Sequence, residues 1–280
     1  MKEFALFNDS FSITKTTTYH LSIRVSHLGY SYCIIDTVRK KCVAVKNINF
    51  DKVADSDTFF KNVQDFLEND SFLNKFYKSV DFIYQSPKST LVPNTLFDRK
   101  YLKTYFQFSQ VLDEYEEIHY NKLSKTPAVN IFSIPSEITT LMVNKFPELR
   151  FFHQASIFIE NTLRQAADKK NMVSVMTNND FFDIVVTESG KLFLYNNFPY
   201  QNENDFVYHI MNIYHQLNIS PKDIGVYLSG DIDMEDKRYK LLSKFIRDVN
   251  MVSIKDNSEC QYDFDEIPEH FFANLLNVMQ

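Results

Sequence analysis

Four acidic side chains lie close together in the sequence and could attract a metal cation: Asp231, Asp233, Glu235 and Asp236. They come directly before a segment whose apolar spacing is that of a helix. Because the amino end of a helix carries a partial positive charge, acidic side chains collect there for structural reasons. The pattern therefore predicts a stabilised helix start, and we expect no metal site here.

Histidine, cysteine and nucleophile patterns do not indicate an active site. His209 and His215 lie six residues apart on one predicted helix and hence on different faces, whereas a metal-binding pair occupies positions i and i+4. Cys33, Cys42 and Cys260 lack metal-ligand spacing and are typical of reduced thiols in a cytoplasmic protein. The sequence has no Gly-x-Ser-x-Gly motif, Walker loop or Cys/His dyad, so we expect no catalytic residues of these kinds.

Length and composition predict a globular protein with two domains. The chain has 280 residues, 44% of them hydrophobic, and its 27 Phe and 16 Tyr provide bulky core side chains. A net charge of -6 argues against nucleic-acid binding, and the Arg-Lys-Lys run at 39–41 fits a solvated hairpin turn. No apolar stretch approaches the ~20 residues that cross a bilayer, and residues 1–10 lack a signal-peptide core. We therefore expect a cytoplasmic protein without membrane insertion.

Two parts of the sequence show the same succession of three strands, a helix and a fourth strand. Alternating apolar residues predict the first copy at 20–26, 30–36, 42–48, 59–67 (the helix) and 80–84. The second copy is expected at 172–177, 181–187, 192–198, 203–217 (the helix) and 224–228. The shared order of elements predicts an internal duplication.

The other segments complete two predicted domains, 1–155 and 156–280. Between the copies we expect helices at 98–110, 135–144 and 156–168 and strands at 118–123, 128–134 and 149–153. After the second copy we expect a helix at 235–249 and a strand at 251–254. A terminal helix at 268–279 has an apolar stripe of Phe271, Phe272, Leu275 and Leu276, and we expect it to pack back towards the first half.

The repeated β-β-β-α-β unit resembles the superfamily of actin, Hsp70 chaperones, sugar kinases and the pilus-assembly protein PilM. In its Phe- and Asn-rich detail, the chain is similar to an uncharacterised family of Bacteroidetes proteins with an actin-like fold. The resemblance covers nearly the whole chain. It implies an α/β, duplicated ribonuclease H-like fold, the actin-like ATPase fold, with two mixed sheets each flanked by helices.

The nucleotide motifs of that superfamily are degenerate in this sequence. Active members carry Asp-x-Gly on the first strand of each hairpin, but the hairpins here read RVSHLG at 24–29 and VMTNND at 175–180. A ribonuclease H-type nuclease would likewise need an Asp on the first strand. Four glycines in the whole chain are too few for several close backbone approaches to a triphosphate. If a nucleotide binds, the resemblance places it against Ser26, Thr177, Asn178, Asn179, Ser229 and Gly230.

Two readings of this pattern stay open. The first is a pseudo-ATPase: a non-enzymatic actin-like scaffold or interaction protein without a cofactor, which binds a protein partner and allows homo-oligomers. The alternative is an ATP-binding protein or weak ATPase that uses ATP with magnesium and atypical phosphate loops. Gly230 also fits a simple β-to-α turn with Asp231 or Asp233 as the helix cap. The Tyr- and Phe-rich segment 101–120 is a candidate partner surface, unless its rings face the core of the first domain.

Overall fold

The computed structural model of the chain has two units, each built on its own main β-sheet. Unit 1 is Met1–Ile157 with Ser258–Phe264 and Leu275–Gln280, and unit 2 is Phe158–Asn257 with Asp265–Asn274. The residues that the structure describes are 3–50, 55–167, 169, 171–253, 261–262, 264 and 269–278.

The described part of unit 1 forms two sheets with helices between their strands. Its strands are β1 (Phe4–Phe7), β2 (Tyr19–Ser26), β3 (Gly29–Asp36), β4 (Lys41–Asn49), β5 (Ser79–Tyr84), β6 (Ser89–Pro93), β7 (Glu116–Lys122), β8 (Ala128–Pro135) and β9 (Arg150–His153). Its helical segments are the 3₁₀ turn Ile13–Thr18, α1 (Ser56–Asn69), the 3₁₀ turn Arg99–Tyr101, α2 (Leu102–Ser109), α3 (Ser136–Lys145) and the first residues of α4 (Gln154–Ala166).

The main sheet of unit 1 has the strand order β1-β4-β3-β2-β5-β9. Strands β2, β3 and β4 form the predicted antiparallel meander, and β5 and β9 then add in parallel beside β2. Leu21, Ile23 and Val25 alternate along β2 and are fully buried in the core under α1 and α3. Helix α1 begins at the cap Asp55, whose carboxylate accepts a hydrogen bond from the Thr58 amide (2.8 Å).

A smaller sheet of unit 1 has the order β6-β8-β7 and packs against α2. Its core contains Val92, Phe106, Val129 and Ile131, all buried. Strand β8 serves both cores of the unit, because Phe132 and the other side chains of its opposite face belong to the core of the main sheet. The small sheet is therefore continuous with the rest of unit 1.

Unit 2 repeats the first unit in simpler form. Its strands are β10 (Asn171–Thr177), β11 (Phe181–Glu188), β12 (Lys191–Pro199), β13 (Val226–Gly230) and β14 (Val249–Met251). Its helices are the remainder of α4, α5 (Glu203–Gln216), α6 (Lys237–Leu242), the 3₁₀ turn Glu269–Phe272 and the start of α7 (Ala273–Leu276).

Sheet topology confirms the predicted duplication. The order β12-β11-β10-β13-β14 in unit 2 matches β4-β3-β2-β5-β9 in unit 1, with the same antiparallel and parallel pairings. The middle strand of each three-stranded meander has a register shift after its sixth residue. The shift lies between Ile34 and Ile35 in β3 and between Val186 and Thr187 in β11. Helices α1 and α5 each have 14 residues and occupy the same place in the order.

The sequence predictions failed mainly at short or irregular elements. Strands β1 and β6 were not predicted, and the predicted helix at 235–249 is only α6, because the chain makes turns before β14. Near the C-terminus, Phe272, Leu275 and Leu276 are buried and Phe271 is half-buried, although part of the segment is a 3₁₀ turn rather than the predicted helix. Residues 254 and 268, at the ends of two predicted elements, lie outside the described residues.

Within the described residues, no helix has the length and apolar character that crossing a membrane requires.

Candidate functional site

The place to search for a ligand is the carboxyl ends of the parallel strands. In open α/β sheets, ligands bind beyond those ends because the loops that follow them diverge there. These are the ends of β2, β5 and β9 in unit 1 and of β10, β13 and β14 in unit 2. All six residues of the predicted nucleotide contact lie at or near such strand ends.

The hairpin between β2 and β3 in unit 1 is a tight two-residue turn. Ser26 donates its hydroxyl proton to the Gly29 carbonyl (3.3 Å) and accepts a hydrogen bond from the Leu28 amide (3.3 Å). A Cβ atom at Gly29 would lie 2.2 Å from the carbonyl oxygen of Ile48 on β4, so only glycine fits beside that strand. Ser26 and Gly29 therefore close the hairpin.

The ends of β5 and β9 carry a buried polar network. The Ser86 main chain pairs twice with the Gln154 side chain: its amide donates to Oε1 (3.1 Å) and its carbonyl accepts from Nε2 (2.8 Å). The Asn121 side-chain oxygen accepts from the amide of His153 (3.1 Å) and from the hydroxyl of Ser156 (2.8 Å). Burial lowers the pKa of His153 to about 3, so its ring is neutral. The network fixes the start of α4.

In unit 2, Thr177 and Gly230 face each other across the paired ends of β10 and β13. The Thr177 hydroxyl donates to the Ser229 carbonyl (3.0 Å), and the Thr177 carbonyl accepts from the Asp231 amide (3.1 Å). Gly230 has a positive φ of 83°, and a Cβ atom there would lie 2.2 Å from the Thr177 carbonyl oxygen. The glycine is required by the close approach of two strands of the protein itself.

The carboxylate of Asp183, which the sequence analysis did not single out, holds the turn after Thr177 in place. Asp183 on β11 is fully buried and accepts hydrogen bonds from the Tyr195 hydroxyl (2.8 Å) and the Asn178 side-chain amide (3.3 Å). Asn178 is itself buried, and Asn179 is exposed. The structure thus brings Thr177 and Asn178 together with the end of β13, and it uses both of their side chains internally.

A chain of hydrogen bonds then joins this turn to the loop after β13. The Tyr200 hydroxyl donates to the Asn178 carbonyl and accepts from the Arg238 guanidinium. Arg238 also donates to the Asp231 carbonyl (2.6 Å) and pairs with the Asp236 carboxylate (2.5 Å). Burial by itself would lower the pKa of Arg238, but the bonds to Asp236 outweigh it and the pKa is raised, so the cation is permanent.

The acidic run at the start of α6 has a structural role, as predicted. Asp233 accepts hydrogen bonds from the amides of Glu235 (2.8 Å) and Asp236 (2.9 Å), and Asp236 caps α6 by accepting from the Arg238 amide (2.7 Å). The cap is therefore Asp236 and not Asp231 or Asp233, because a turn around Asp233 precedes the helix. Within the described residues, no three His, Cys, Asp or Glu side chains form a group that could hold a metal.

Comparison with known proteins places the chain in a family. The model of the family described as "Protein of unknown function (DUF3822)" matches residues 8–249. The chain belongs to the DUF3822 family. A crystal structure similar to this DUF3822 protein is that of a Bacteroides thetaiotaomicron VPI-5482 protein with an actin-like ATPase fold and unknown function. The TM-score is 0.76 at 26% identity, over 86% of this chain and 93% of that chain.

The PilM-PilN type IV pilus biogenesis complex is a second similar structure, with a TM-score of 0.57 at 10% identity over 92% of this chain and 97% of that chain. No curated protein matches the DUF3822 chain in sequence. The predicted fold is confirmed: this DUF3822 protein has the actin-like ATPase fold, and its resemblance to an uncharacterised Bacteroidetes family and to PilM is confirmed with it.

A second buried polar cluster lies at the opposite, amino ends of β2, β5 and β9 in the DUF3822 protein. Arg150 forms a two-pronged ion pair with Asp81, with both N–O distances 2.7 Å. His20 contacts Asp81 (3.4 Å) and shares hydrogen bonds with Ser79 (2.8 Å) and Ser22 (2.9 Å). Burial, followed by the charge of Arg150, lowers the pKa of His20 to about 3. His20 and Asp81 are both fully buried, so this cluster holds three strands together.

Sequence reasoning missed Asp81 and Asp183, although a signal was present. Each is an acidic residue inside an otherwise apolar strand, VDFIY for β5 and FFDIVV for β11. A buried carboxylate must find partners, so such a residue predicts a nearby Arg, Tyr or amide. The identity of the partner could not be read from the sequence, because Arg150 and Tyr195 become neighbours only through strand pairing.

Proposed function

We propose that this DUF3822 protein is a non-enzymatic, actin-like interaction protein whose nucleotide-side turns serve the fold. The observation that carries the proposal is the internal use of Thr177 and Asn178. The hydroxyl of Thr177 donates to Ser229, and the amide of Asn178 donates to buried Asp183. Side chains committed in this way would have to break buried hydrogen bonds before they could hold a phosphate.

The demands of phosphoryl transfer support the same proposal. Catalysis there depends on carboxylates that orient Mg²⁺ and the attacking water. The first strands β2 and β10 contain no Asp or Glu. Two carboxylates lie near the second hairpin: Asp183 is fully buried and bonded to Tyr195 and Asn178, and Asp180 is exposed in the turn itself, where Asp is favoured for backbone reasons. Neither β2 nor β10 supplies the acid that such chemistry uses.

A surface for a protein partner lies on the small sheet of unit 1. Helix α2 and the segments around it expose large apolar side chains: Leu96 (66% exposed), Tyr101 (55%), Phe108 (94%), Val111 (74%) and Tyr115 (72%). Tyr101 lies in the 3₁₀ turn directly before α2, and Phe108 lies in the last turn of α2. We call these five residues the aromatic surface. Exposed aromatic side chains of this size are the usual anchors of protein interfaces.

The Tyr- and Phe-rich segment is divided between core and surface. Phe106 is fully buried, while Tyr105 packs on the small core and donates its hydroxyl to the Leu96 carbonyl (2.5 Å). Phe108, two residues after Phe106, points away from that core. PilM, whose fold this chain shares, is known in a complex with another protein, PilN, and a binding role for the fold agrees with this proposal.

A pull-down from a lysate of the source cells tests the proposal. The double variant Phe108→Ser/Tyr115→Ser should lose the proteins that the wild type captures, while its stability changes by no more than about 0.5 kcal/mol. The matched control Phe193→Ser/Tyr208→Ser removes two exposed rings from unit 2 and should keep the captured proteins. Two results would contradict this assignment of the surface. In one, the Phe108→Ser/Tyr115→Ser variant still captures the same proteins; in the other, both double variants lose them.

The proposed location is the cytoplasm. Cys33 and Cys42 are buried in the main sheet of unit 1 and are not joined in a disulfide, which suits a reducing compartment. The proposal includes neither nucleic acid nor membrane among the partners, and it allows homo-oligomers. Cell fractionation followed by detection of the protein would check the location.

A further inference from the structure

A groove of about 870 Å³ opens at the amino ends of β5 and β9 in unit 1. Two connections form its walls, the one from α1 to β5 and the one from α3 to β9. Lys75, Lys78, Lys145 and Arg150 line it, and Glu148 is the one acidic residue of its lining. Grooves of about 300–1,000 Å³ are the size at which ligand binding becomes common.

The three lysines of the groove are not neutralised by the rest of the described chain. Lys78 donates to the hydroxyl of Thr37 (3.1 Å), and Lys145 donates to the side-chain oxygen of Asn74. Among the described residues, none of the three lysines has a carboxylate partner. In a protein of net charge -6, this is a local excess of positive charge at a concave surface.

Arg150 adds a cation whose position is fixed. Its Nε and Nη2 atoms are bound to fully buried Asp81, and its guanidinium lies 5.4 Å from the ring of Phe152. Its side chain is still 57% exposed, and it lines the groove. A guanidinium that is already held in place loses little freedom when it binds a carboxylate.

Apolar side chains complete the groove. Leu73, Val80 and Phe146 line it and are buried, whereas Phe76 lines it and is 88% exposed. Phe76 lies between Lys75 and Lys78 in the sequence. Covering its ring with an apolar group would be favourable, because it removes apolar surface from water. The groove therefore suits a ligand with both negative charges and apolar side chains.

The duplicated unit provides an internal comparison. Beside the equivalent connection from α5 to β13, unit 2 has a groove of only about 350 Å³. Its lining contains Glu188 and Asp223 and no Lys or Arg. The unit 2 groove, whose other wall is formed by β10, β11 and β12, is thus smaller and has acidic residues in its lining, whereas the unit 1 groove is larger and has four basic residues, so this connection of the fold does not by itself require a basic groove.

We propose that the groove binds an acidic peptide segment of a partner protein, with carboxylates on Lys75, Lys78, Lys145 and Arg150 and an apolar side chain against Phe76. A single phosphate would fill little of this volume and leave the apolar lining bare. A nucleic acid needs a longer basic track than four cations on an otherwise negative protein. This site is separate from the aromatic surface, and the inference does not depend on the absence of nucleotide binding.

Selection from a phage-displayed library of random peptides tests this inference on the full chain. Selected peptides should be rich in Asp and Glu with interspersed Phe or Leu. Their affinity should fall about tenfold or more in the variant Lys75→Glu/Lys78→Glu/Lys145→Glu, because each reversed charge replaces attraction by repulsion. Phe76→Ser should weaken binding by about threefold to tenfold through lost apolar contact.

The matched control Lys191→Glu/Lys222→Glu/Lys244→Glu makes the same change of net charge at exposed lysines of unit 2 and should alter affinity less than about twofold, because these lysines do not line the groove. Four results would overturn the inference: a selection that yields no binders, peptides without acidic enrichment, equal losses in both triple variants, or displacement of the peptides by inorganic phosphate or single-stranded DNA at low concentration.

Discussion

Both ends of the main sheet in unit 1 contain a buried polar cluster, but at the amino end a groove lined by lysines lies beside that cluster. At the carboxyl ends of β5 and β9, Ser86, Gln154 and Asn121 are bonded to each other's segments and lie in a buried network. At the amino ends, Lys75 and Lys78 stand on a groove without carboxylate partners in the described chain. The first end is where an actin-like fold would place a ligand, and the second is where we propose that an acidic peptide binds.

The difference teaches that residue types alone do not identify a site. The side chains of Ser26, Thr177 and Asn178 at the expected end look suitable for a phosphate, but all three form hydrogen bonds within the protein. Lys75 and Lys78 at the amino end look like ordinary surface lysines in the sequence. The structure places them on a groove, without carboxylate partners among the described residues. The satisfied or unsatisfied state of each group decides between the two readings.

The largest expected effect is a fall in the free energy of unfolding at acidic pH, and it tests the buried histidines at both ends of the sheet. Burial lowers the pKa of His20 at the amino end to about 3, that of His153 at the carboxyl end to about 3, and that of His119 to about 4. The unfolded chain, with pKa 6.5, then binds protons that the folded protein does not. Stability is therefore full above pH 6.5 and falls by up to about 1.4 kcal/mol per pH unit for each histidine as the pH drops towards 4.

Urea unfolding at pH 7, 6 and 5 measures this slope. A His153→Asn variant should lose about one third of it, since one of the three buried rings is removed. If the free energy of unfolding stayed constant over this range, the histidines of both ends would be open to protons. The description of a buried cluster at each end of the sheet would then fail.

The next effect concerns Gly230. Gly230→Ala should cost about 3 kcal/mol, because it adds a positive-φ penalty to a Cβ only 2.2 Å from the Thr177 carbonyl. Gly190→Ala is the matched control: its φ is also positive, at 73°, but the nearest atom is 3.4 Å away, so we expect about 1 kcal/mol. Equal costs in urea unfolding would mean that the strand contact does not require glycine.

A smaller effect is expected from Thr177→Val. The variant leaves the buried Ser229 carbonyl without the hydroxyl that it accepts from, at a cost of about 1–2 kcal/mol. Thr104→Val changes an exposed threonine of α2 and should stay within about 0.5 kcal/mol. If the two variants unfold at the same urea concentration, the Thr177 hydroxyl is not a structural bond and becomes available for a ligand.

The smallest effect compares two lysines of unit 1. Lys88, beyond the carboxyl end of β5, pairs with Asp113 (2.5 Å) and Glu116 (3.1 Å), so Lys88→Ala should cost about 0.5–1 kcal/mol. Lys75→Ala in the groove should leave stability unchanged or slightly higher, because it removes a charge without a counter-charge. A larger loss at Lys75 than at Lys88 would reverse the comparison.

The sequence was sufficient for the fold because its strongest signals come from long, regular elements. Alternation along 20–26 and 172–177, together with a following helix in each half, predicted the duplicated sheet. Short elements such as β6 carry too few residues for a periodic signal. The predicted helix at 235–249 was too long at both ends, because the turn around Asp233 delays its start to Lys237 and turns follow Leu242 before β14.

The candidate site was less predictable, since it depends on contacts between distant residues. Ser26, Thr177, Asn178, Asn179, Ser229 and Gly230 were placed by analogy, and their nucleotide role stays a prediction. Hydrogen bonds join Asn178 to Asp183 and Tyr200, and Arg238 is linked to this turn through Tyr200; all three partners come from other strands and loops. The basic groove combines two connections that are far apart in the chain, so no local pattern indicated it.

The central claim is that the carboxyl-end turns are committed to the fold, and a titration with nucleotide tests it most directly. Isothermal titration of the full chain with Mg-ATP and with Mg-ADP at physiological salt should show no binding in the micromolar range, and phosphate release should equal the protein-free rate. Micromolar affinity that is lost in an Asn179→Ala variant, whose exposed side chain is not needed for the fold, would contradict the claim and establish an ATP-binding protein.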